Sequence, residues 1–227
     1  NSVYLYSVNK QFKRKSKFSK HSSYITHLDF SADSKVMQTN CGAYELLFSD
    51  VSSGKQIMKA DALKDVHFDK SWTCPLGWPV LGIWADGMDG TDINAVDVHF
   101  KNKLLATGDD FGNVTLFIYP CIALADKGVP HGGDGGIGFA GHSSHVTSVR
   151  WVEARDHPYL ISIGGGDKCI FQWKCHTDGE VPFPSASASS TDRGSKDDKT
   201  TDSSSAGMGV PTGGDEFMAV KPWLGAI

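Results

Sequence analysis

Apolar and polar residues alternate with a period of two along several short stretches of this 227-residue chain. Ile25, Leu28 and Phe30 mark one stretch, Ile93, Val96 and Val98 a second, and Val146, Val149 and Trp151 a third. Alternation of this kind, punctuated by Gly, Asp and Asn, predicts half-buried β-strands joined by hairpin turns. A second short strand is expected after each stretch, at 35–39, 103–107 and 159–163. A turn and a third strand follow, at 45–51, 114–119 and 169–174. No helical period of 3.6 residues is sustained anywhere, so the pattern predicts an all-β chain.

The stretches are copies of one another. His21-Ser-Ser-Tyr-Ile-Thr returns as His142-Ser-Ser-His-Val-Thr, 121 residues later, and a weaker copy begins at Ile93. An insertion over 60–92 lengthens the first interval. Units of about 40–45 residues with four short strands each are the signature of a propeller blade. Val3-Tyr-Leu-Tyr-Ser-Val8 reads as the third strand of a further unit. Residues 1–175 are therefore expected to form about three blades of a WD-repeat β-propeller plus one strand of a preceding blade. Since propellers close with 4–8 blades, the other blades are expected upstream in a longer protein. Beyond them, 176–214 reads as a flexible linker: positions 185–214 hold 8 Ser, 4 Thr, 5 Gly and 4 Asp and no aromatic. Residues 215–227 contain Phe217 and Trp223 and are expected to begin a further ordered segment.

Composition narrows the function. Hydrophobic residues make up 40% and charged residues 21%, ordinary globular values, while 25 Gly and 24 aromatics suit short strands and tight turns. The net charge of −4 lies wholly in 176–227, because 1–175 carry 18 basic and 18 acidic side chains. A basic nucleic-acid-binding domain is excluded on that count. The longest apolar stretch, 75–85, is too short to span a bilayer. Five scattered cysteines without a C-x-x-C pair suit a reducing compartment better than a disulfide framework or a structural zinc site.

Four residues of the last unit, His142, Ser162, Asp167 and Trp173, are spaced to form one hydrogen-bonded tetrad. Such a network satisfies buried polar atoms and ties an outer loop to its blade. Ser, His and Asp also admit a catalytic triad, but no nucleophile elbow is present and the tetrad accounts for the Trp as well. In the first unit His21 stands alone, with Ala43 and Ser49 where Asp and Trp are expected, and the middle unit offers Phe117 at the Trp position. Gly133–Gly138 matches G-x-G-x-x-G yet leads into a blade and no helix, so no dinucleotide is expected. Asp86, Asp89 and Asp92 are spaced by three, unlike a calcium loop, and read as turn residues. His142 and His145 lack further ligands at recognisable spacing, so no metal and no cofactor are assigned. Lys10, Lys13, Arg14, Lys15, Lys17 and Lys20 place six cations in 11 residues without an acid. They read as a solvated loop, or as a docking patch for an acidic partner.

The residues His21–Asp29, Trp72-Thr-Cys-Pro-Leu-Gly77, Gly82-Ile-Trp84, Asp89–Asn94, Gly108-Asp-Asp-Phe-Gly112, Tyr119-Pro-Cys121 and His142–Thr147 closely resemble the echinoderm microtubule-associated protein-like family. The resemblance runs over about 1–175 and includes the insertion. It implies a tandem pair of propellers, with this segment the C-terminal part of the second. It also implies a non-enzymatic, cytoplasmic, cytoskeletal scaffold binding tubulin or the microtubule lattice, with ciliary or axonemal doublets and other axonemal proteins among its partners. Nucleic acid and membranes are not expected partners. The basic run at 10–20 is the candidate tubulin-facing loop. The alternative is a propeller scaffold for protein or peptide partners that does not touch tubulin, since a fold does not fix a function.

Overall fold

The computed structural model describes residues 1–84, 87–122, 136–154, 158–176 and 219–223. A two-stranded ribbon, β1 (Val3–Ser7) and β2 (Lys13–Phe18), precedes three four-stranded sheets. The first sheet holds β3 (Ile25–Phe30), β4 (Val36–Cys41), β5 (Leu46–Asp50) and β6 (Gln56–Ile57). The second holds β7 (Ile93–His99), β8 (Leu104–Asp109), β9 (Asn113–Ile118) and β10 (Ile137–Ala140). The third holds β11 (Val146–Val152), β12 (Tyr159–Gly164), β13 (Ile170–His176) and β14 (Ala219–Trp223). Every sheet is an antiparallel meander in chain order, and no α-helix occurs among the described residues. This is a partial β-propeller, and the expected strands lie within two residues of the observed ones. Residues 219–223 pair with β13 as the outer strand of the third sheet; the rest of 176–227 lies outside the described residues, His176 apart.

The hairpins turn at residues in left-handed conformation: Ser34, Tyr44, Lys103 and Lys168 all have φ between 52° and 59°. Left-handed turn residues match the twist of the paired strands. Gly112, at φ 84°, closes the turn between β8 and β9, and a Cβ there would run into the backbone carbonyl of His142. This turn therefore needs glycine to let the third blade's entry loop approach.

Sheets pack face to face through three apolar clusters. The ribbon covers the first sheet with Val3, Phe18 and Met37 at the centre. The second and third sheets share Ala106, Val114, Val146, Val149, Leu160 and Trp173. Between the first and second sheets lies part of the insertion, with Trp72, Val80 and Ile83 packed on Ile93, Val96 and Leu105. The sequence marked 60–92 as an interruption; the structure makes 72–83 a wedge that fills a seam.

Two carboxylates on innermost strands hold these seams, at the same register position. Asp29 faces Gln38 and Asp97 faces Ala106, each one step after the residue opposite Thr39 or Thr107. Asp29 is 2% exposed and accepts from Gln38 Nε2 (3.1 Å), Thr73 N (2.8 Å), Thr73 Oγ1 (3.1 Å) and Cys74 N (3.1 Å). Asp97 accepts from Trp151 N (2.6 Å), its backbone carbonyl accepts from Trp151 Nε1 (3.2 Å), and Arg150 Nη1 stands 3.6 Å from its carboxylate. Asn40 adds a second tie to the insertion, accepting from Leu76 N at 2.9 Å. Asp29→Ala leaves two amides of the wedge without an acceptor, at ~1–3 kcal/mol each. The expected loss is about 3 kcal/mol, read as a lowered denaturant midpoint of the parent protein; an unchanged midpoint would show that the wedge holds without Asp29.

Candidate functional site

His142 lies in the loop from β10 to β11, Ser162 on β12, Asp167 in the turn to β13, and Trp173 on β13 opposite Leu160. The structure brings all four together. Trp173 Nε1 donates to Ser162 Oγ at 2.8 Å, and Ser162 Oγ lies 2.7 Å from His142 Nε2. With the Ser162 proton on that bond, His142 Nδ1–H donates to Asp167 Oδ2 at 2.8 Å. Asp167 also accepts from the amides of Ser143 (3.1 Å) and Cys169 (3.0 Å). The Cys169 amide first, then His142, hold the Asp167 carboxyl below its usual range. Ser162 and Trp173 are 0% exposed, so the hydroxyl has no path to a substrate and each proton already has an acceptor.

The first blade corrects a sequence expectation. Ser49 does stand opposite Met37, as Trp173 stands opposite Leu160. The acid, however, is present: Glu45, two residues beyond Ala43, accepts from His21 Nδ1 (3.0 Å), Ser22 N (3.0 Å) and Cys41 Sγ (3.1 Å). Thr39 Oγ1 lies 2.6 Å from His21 Nε2, in the role of Ser162. The Cys41 thiol, then the Ser22 amide and hydroxyl, then His21 lower the Glu45 carboxyl to about 2. Counting back six residues from the Trp position missed it because the β4–β5 hairpin is shorter and Glu is longer than Asp. In the second blade Phe117 stands opposite Leu105, at the Trp position as expected.

The basic run forms an edge strand for most of its length, in place of the expected loop. Lys13, Arg14, Lys15 and Lys17 belong to β2; Lys10 lies in the turn before it and Lys20 just after. All six side chains are exposed. Ser16 and Phe18 point inward, opposite Leu5 and Val3. Lys17 faces Tyr4, and a bulge between Leu5 and Tyr6 shifts the register so that Arg14 faces Tyr6. An unbroken alternation would have turned Arg14 to the face of Ser16; the bulge turns it to the face of Lys17. Lys17 Nζ sits 5.3 Å from the centre of the Tyr4 ring. The result is a cationic face interleaved with the exposed rings of Tyr4 and Tyr6.

Of the remaining candidates, Asp89 accepts from Thr91 N at 2.7 Å and donates its amide to Asp92, which makes a local turn. Asp86 and Gly133–Gly135 lie outside the described residues, and Gly138 lies within β10. His145 contacts Ser144, one residue away.

Residues 1–175, all three blades up to β13, match the family model described as the echinoderm microtubule-associated protein second beta-propeller. The chain belongs to the echinoderm microtubule-associated protein-like family. Echinoderm microtubule-associated protein-like 1 of Homo sapiens is 43% identical over 177 residues, covering 77% of this chain and 20% of that protein. Echinoderm microtubule-associated protein-like 2 of Homo sapiens is 44% identical over 180 residues, covering 77% and 26%. The 77 kDa echinoderm microtubule-associated protein of Strongylocentrotus purpuratus is 45% identical over 176 residues, covering 76% and 24%. The chain thus spans about a fifth to a quarter of the length of these family members. Among solved structures, the RRP9 WD40 repeats align at 16% identity with a TM-score of 0.32, over 69% of this chain and 37% of that one, a likeness that carries no weight here.

Within this family segment the tetrad has a pH signature. Asp167 titrates lower in the folded protein than its ordinary 3.8, so its stabilising contribution is complete above that value and is lost as pH falls through the folded one. Asp167→Asn is therefore expected to lower stability at about pH 7, with the gap to the wild type narrowing below about pH 3.8. Unfolding of both proteins across that range checks it, and a gap that stays constant down to about pH 2.5 contradicts it.

Proposed function

We propose that this chain supplies closing blades of the second propeller in a non-enzymatic, microtubule-associated scaffold, and that it meets acidic tubulin surfaces through Lys10, Lys13, Arg14, Lys15, Lys17 and Lys20. The carrying observation is the family match over 1–175, whose relatives are named as microtubule-associated proteins. The cationic, tyrosine-lined face of β1 and β2 supports the docking part, because clustered cations steer encounter with acidic partners. Cytoplasmic microtubules are the site of action in this reading, ciliary and axonemal doublets included, along with other proteins of those assemblies. No described helix is long and apolar enough to cross a membrane.

One observation favours a second reading, in which the propeller carries protein partners without touching tubulin. A groove of about 430 Å³ runs beside the insertion, lined by Tyr44, Leu46, Leu76, Trp78, Leu81 and Trp84. Trp78 is 71% and Tyr44 53% exposed, an unusual display of aromatic surface.

Co-pelleting of the full-length parent with stabilised microtubules, across a salt series, separates the readings. Reversing charge at Lys13, Arg14, Lys15 and Lys17 to Glu is expected to weaken lattice binding by about tenfold or more at low salt. The deficit shrinks as salt rises, because screening removes the same term from the wild type. Wild-type binding by the charge-reversed protein removes the β2 face from the contact, and absence of pelleting by the wild type favours the second reading.

A further inference from the structure

Cys41 of β4 pairs with Ile25 of β3, and the matching partners in the other blades are Asp109 opposite Ile93 and Gly164 opposite Val146. In the third blade a Cβ at Gly164 would collide with both the Asp167 carboxylate and His142 Nδ1. A side chain at this position is thus aimed at the histidine–acid pair. The first blade carries a thiol there and takes its acid from Glu45, whose Oε2 meets both His21 Nδ1 and the thiol.

We infer that His21, Cys41 and Glu45 form a site for a thiophilic divalent cation, Zn²⁺ by its chemistry. Their ligand atoms all lie within 4.8 Å of one another, with His21 Nδ1 at 3.0 Å and Cys41 Sγ at 3.1 Å from the same Glu45 oxygen. Zinc bonds of about 2.0–2.2 Å to N and O and about 2.3 Å to S set tetrahedral ligand separations of about 3.3–3.6 Å. The two separations to Glu45 need to open by about half an ångström, and side-chain rotation brings His21 Nδ1 and Cys41 Sγ, within 4.8 Å of each other, to the same spacing. Charge also closes: one thiolate, one carboxylate and a neutral imidazole cancel the two positive charges, which a buried site requires. Cys41 is 2% and His21 6% exposed, while the Glu45 side chain is 32% exposed and leaves the fourth position open to water.

The proton balance is supplied by the same residue change that removed the tryptophan. Binding requires the lone pair of His21 Nδ1, so its proton must appear on Nε2. Thr39 Oγ1 can then accept from Nε2, because its own proton has a second acceptor in the Leu47 carbonyl at 3.3 Å. Ser162 in the third blade already accepts from Trp173 Nε1, whereas Ser49 Oγ has no hydrogen-bond partner and donates nothing to Thr39. One proton, from the Cys41 thiol, leaves per ion bound. The ion joins the His21 loop to the β4–β5 hairpin.

The test uses the full-length parent, reduced without added thiols and titrated with Co²⁺ as the spectroscopic stand-in. The wild type minus Cys41→Ser difference is expected to show a thiolate-to-cobalt charge-transfer band in the near ultraviolet that Zn²⁺ abolishes. Glu45→Gln, which keeps the thiol and the side-chain volume, is expected to raise the Co²⁺ dissociation constant about tenfold or more. Cys169→Ser, at the exposed thiol of the third blade, leaves the band unchanged. Superimposable spectra of wild type and Cys41→Ser overturn the site, as does wild-type affinity in Glu45→Gln or loss of the band in Cys169→Ser.

Discussion

A blade cannot stand alone, because a four-stranded sheet with two apolar faces must be covered on both. In this chain the cover is registered by one kind of contact, a carboxylate on the innermost strand reaching into the next unit. Asp97 takes the Trp151 amide of the following blade, and Asp29 takes the Thr73 and Cys74 amides of the wedge. Apolar packing supplies most of the free energy but tolerates sliding; hydrogen bonds to a buried charge do not, since a misplaced acceptor leaves amides unpaired. The third blade carries Arg150 at the equivalent position, and it turns back toward Asp97. The seam between second and third sheets is thus joined from both sides.

With the seams fixed, the inner network of each blade is free to vary at constant register. Trp173, Phe117 and Ser49 occupy one equivalent position, and Gly164, Asp109 and Cys41 another. In the third blade the indole commits Ser162, and Ser162 commits the histidine tautomer. In the second, Asp109 closes its own hairpin, accepting from Phe111 N, Asn113 N and Asn113 Nδ2. In the first, removal of the indole frees a hydroxyl, and the acid, two residues on, meets both the histidine and a thiol. The first and third arrangements tie the hairpin end to the blade's entry loop, and the second closes the hairpin on itself.

The strands were legible because burial imposes a period of two, and the third-blade tetrad because its spacing is set by a regular hairpin. Glu45 was not, since its role depends on a one-residue difference in hairpin length and one extra methylene. The cluster of His21, Cys41 and Glu45 has no sequence spacing that marks metal ligands; only strand pairing unites it. The wedge was visible as an interruption of the repeat, but its docking rests on Asp29 and Asn40, polar residues that alternation alone assigns no partner. Short outer strands such as β6, two residues long, carry too little pattern to be read.

The same limit explains the misreading of β2 as a loop, and what the structure adds there. A strand rich in Lys has a bland purpose, since charge on an edge deters pairing with other chains. That purpose is indifferent to which face the charges take. Strict alternation would have sent Arg14 inward with Ser16 and Phe18, where burial of a guanidinium beside Leu5 and Val51 is costly. The bulge removes that conflict and at the same time gathers Arg14, Lys15 and Lys17 beside two exposed tyrosines. Edge protection accounts for the charge but assigns no role to Tyr4 and Tyr6. In the docking we propose, that face supplies both the charge and the apolar surface for an acidic partner.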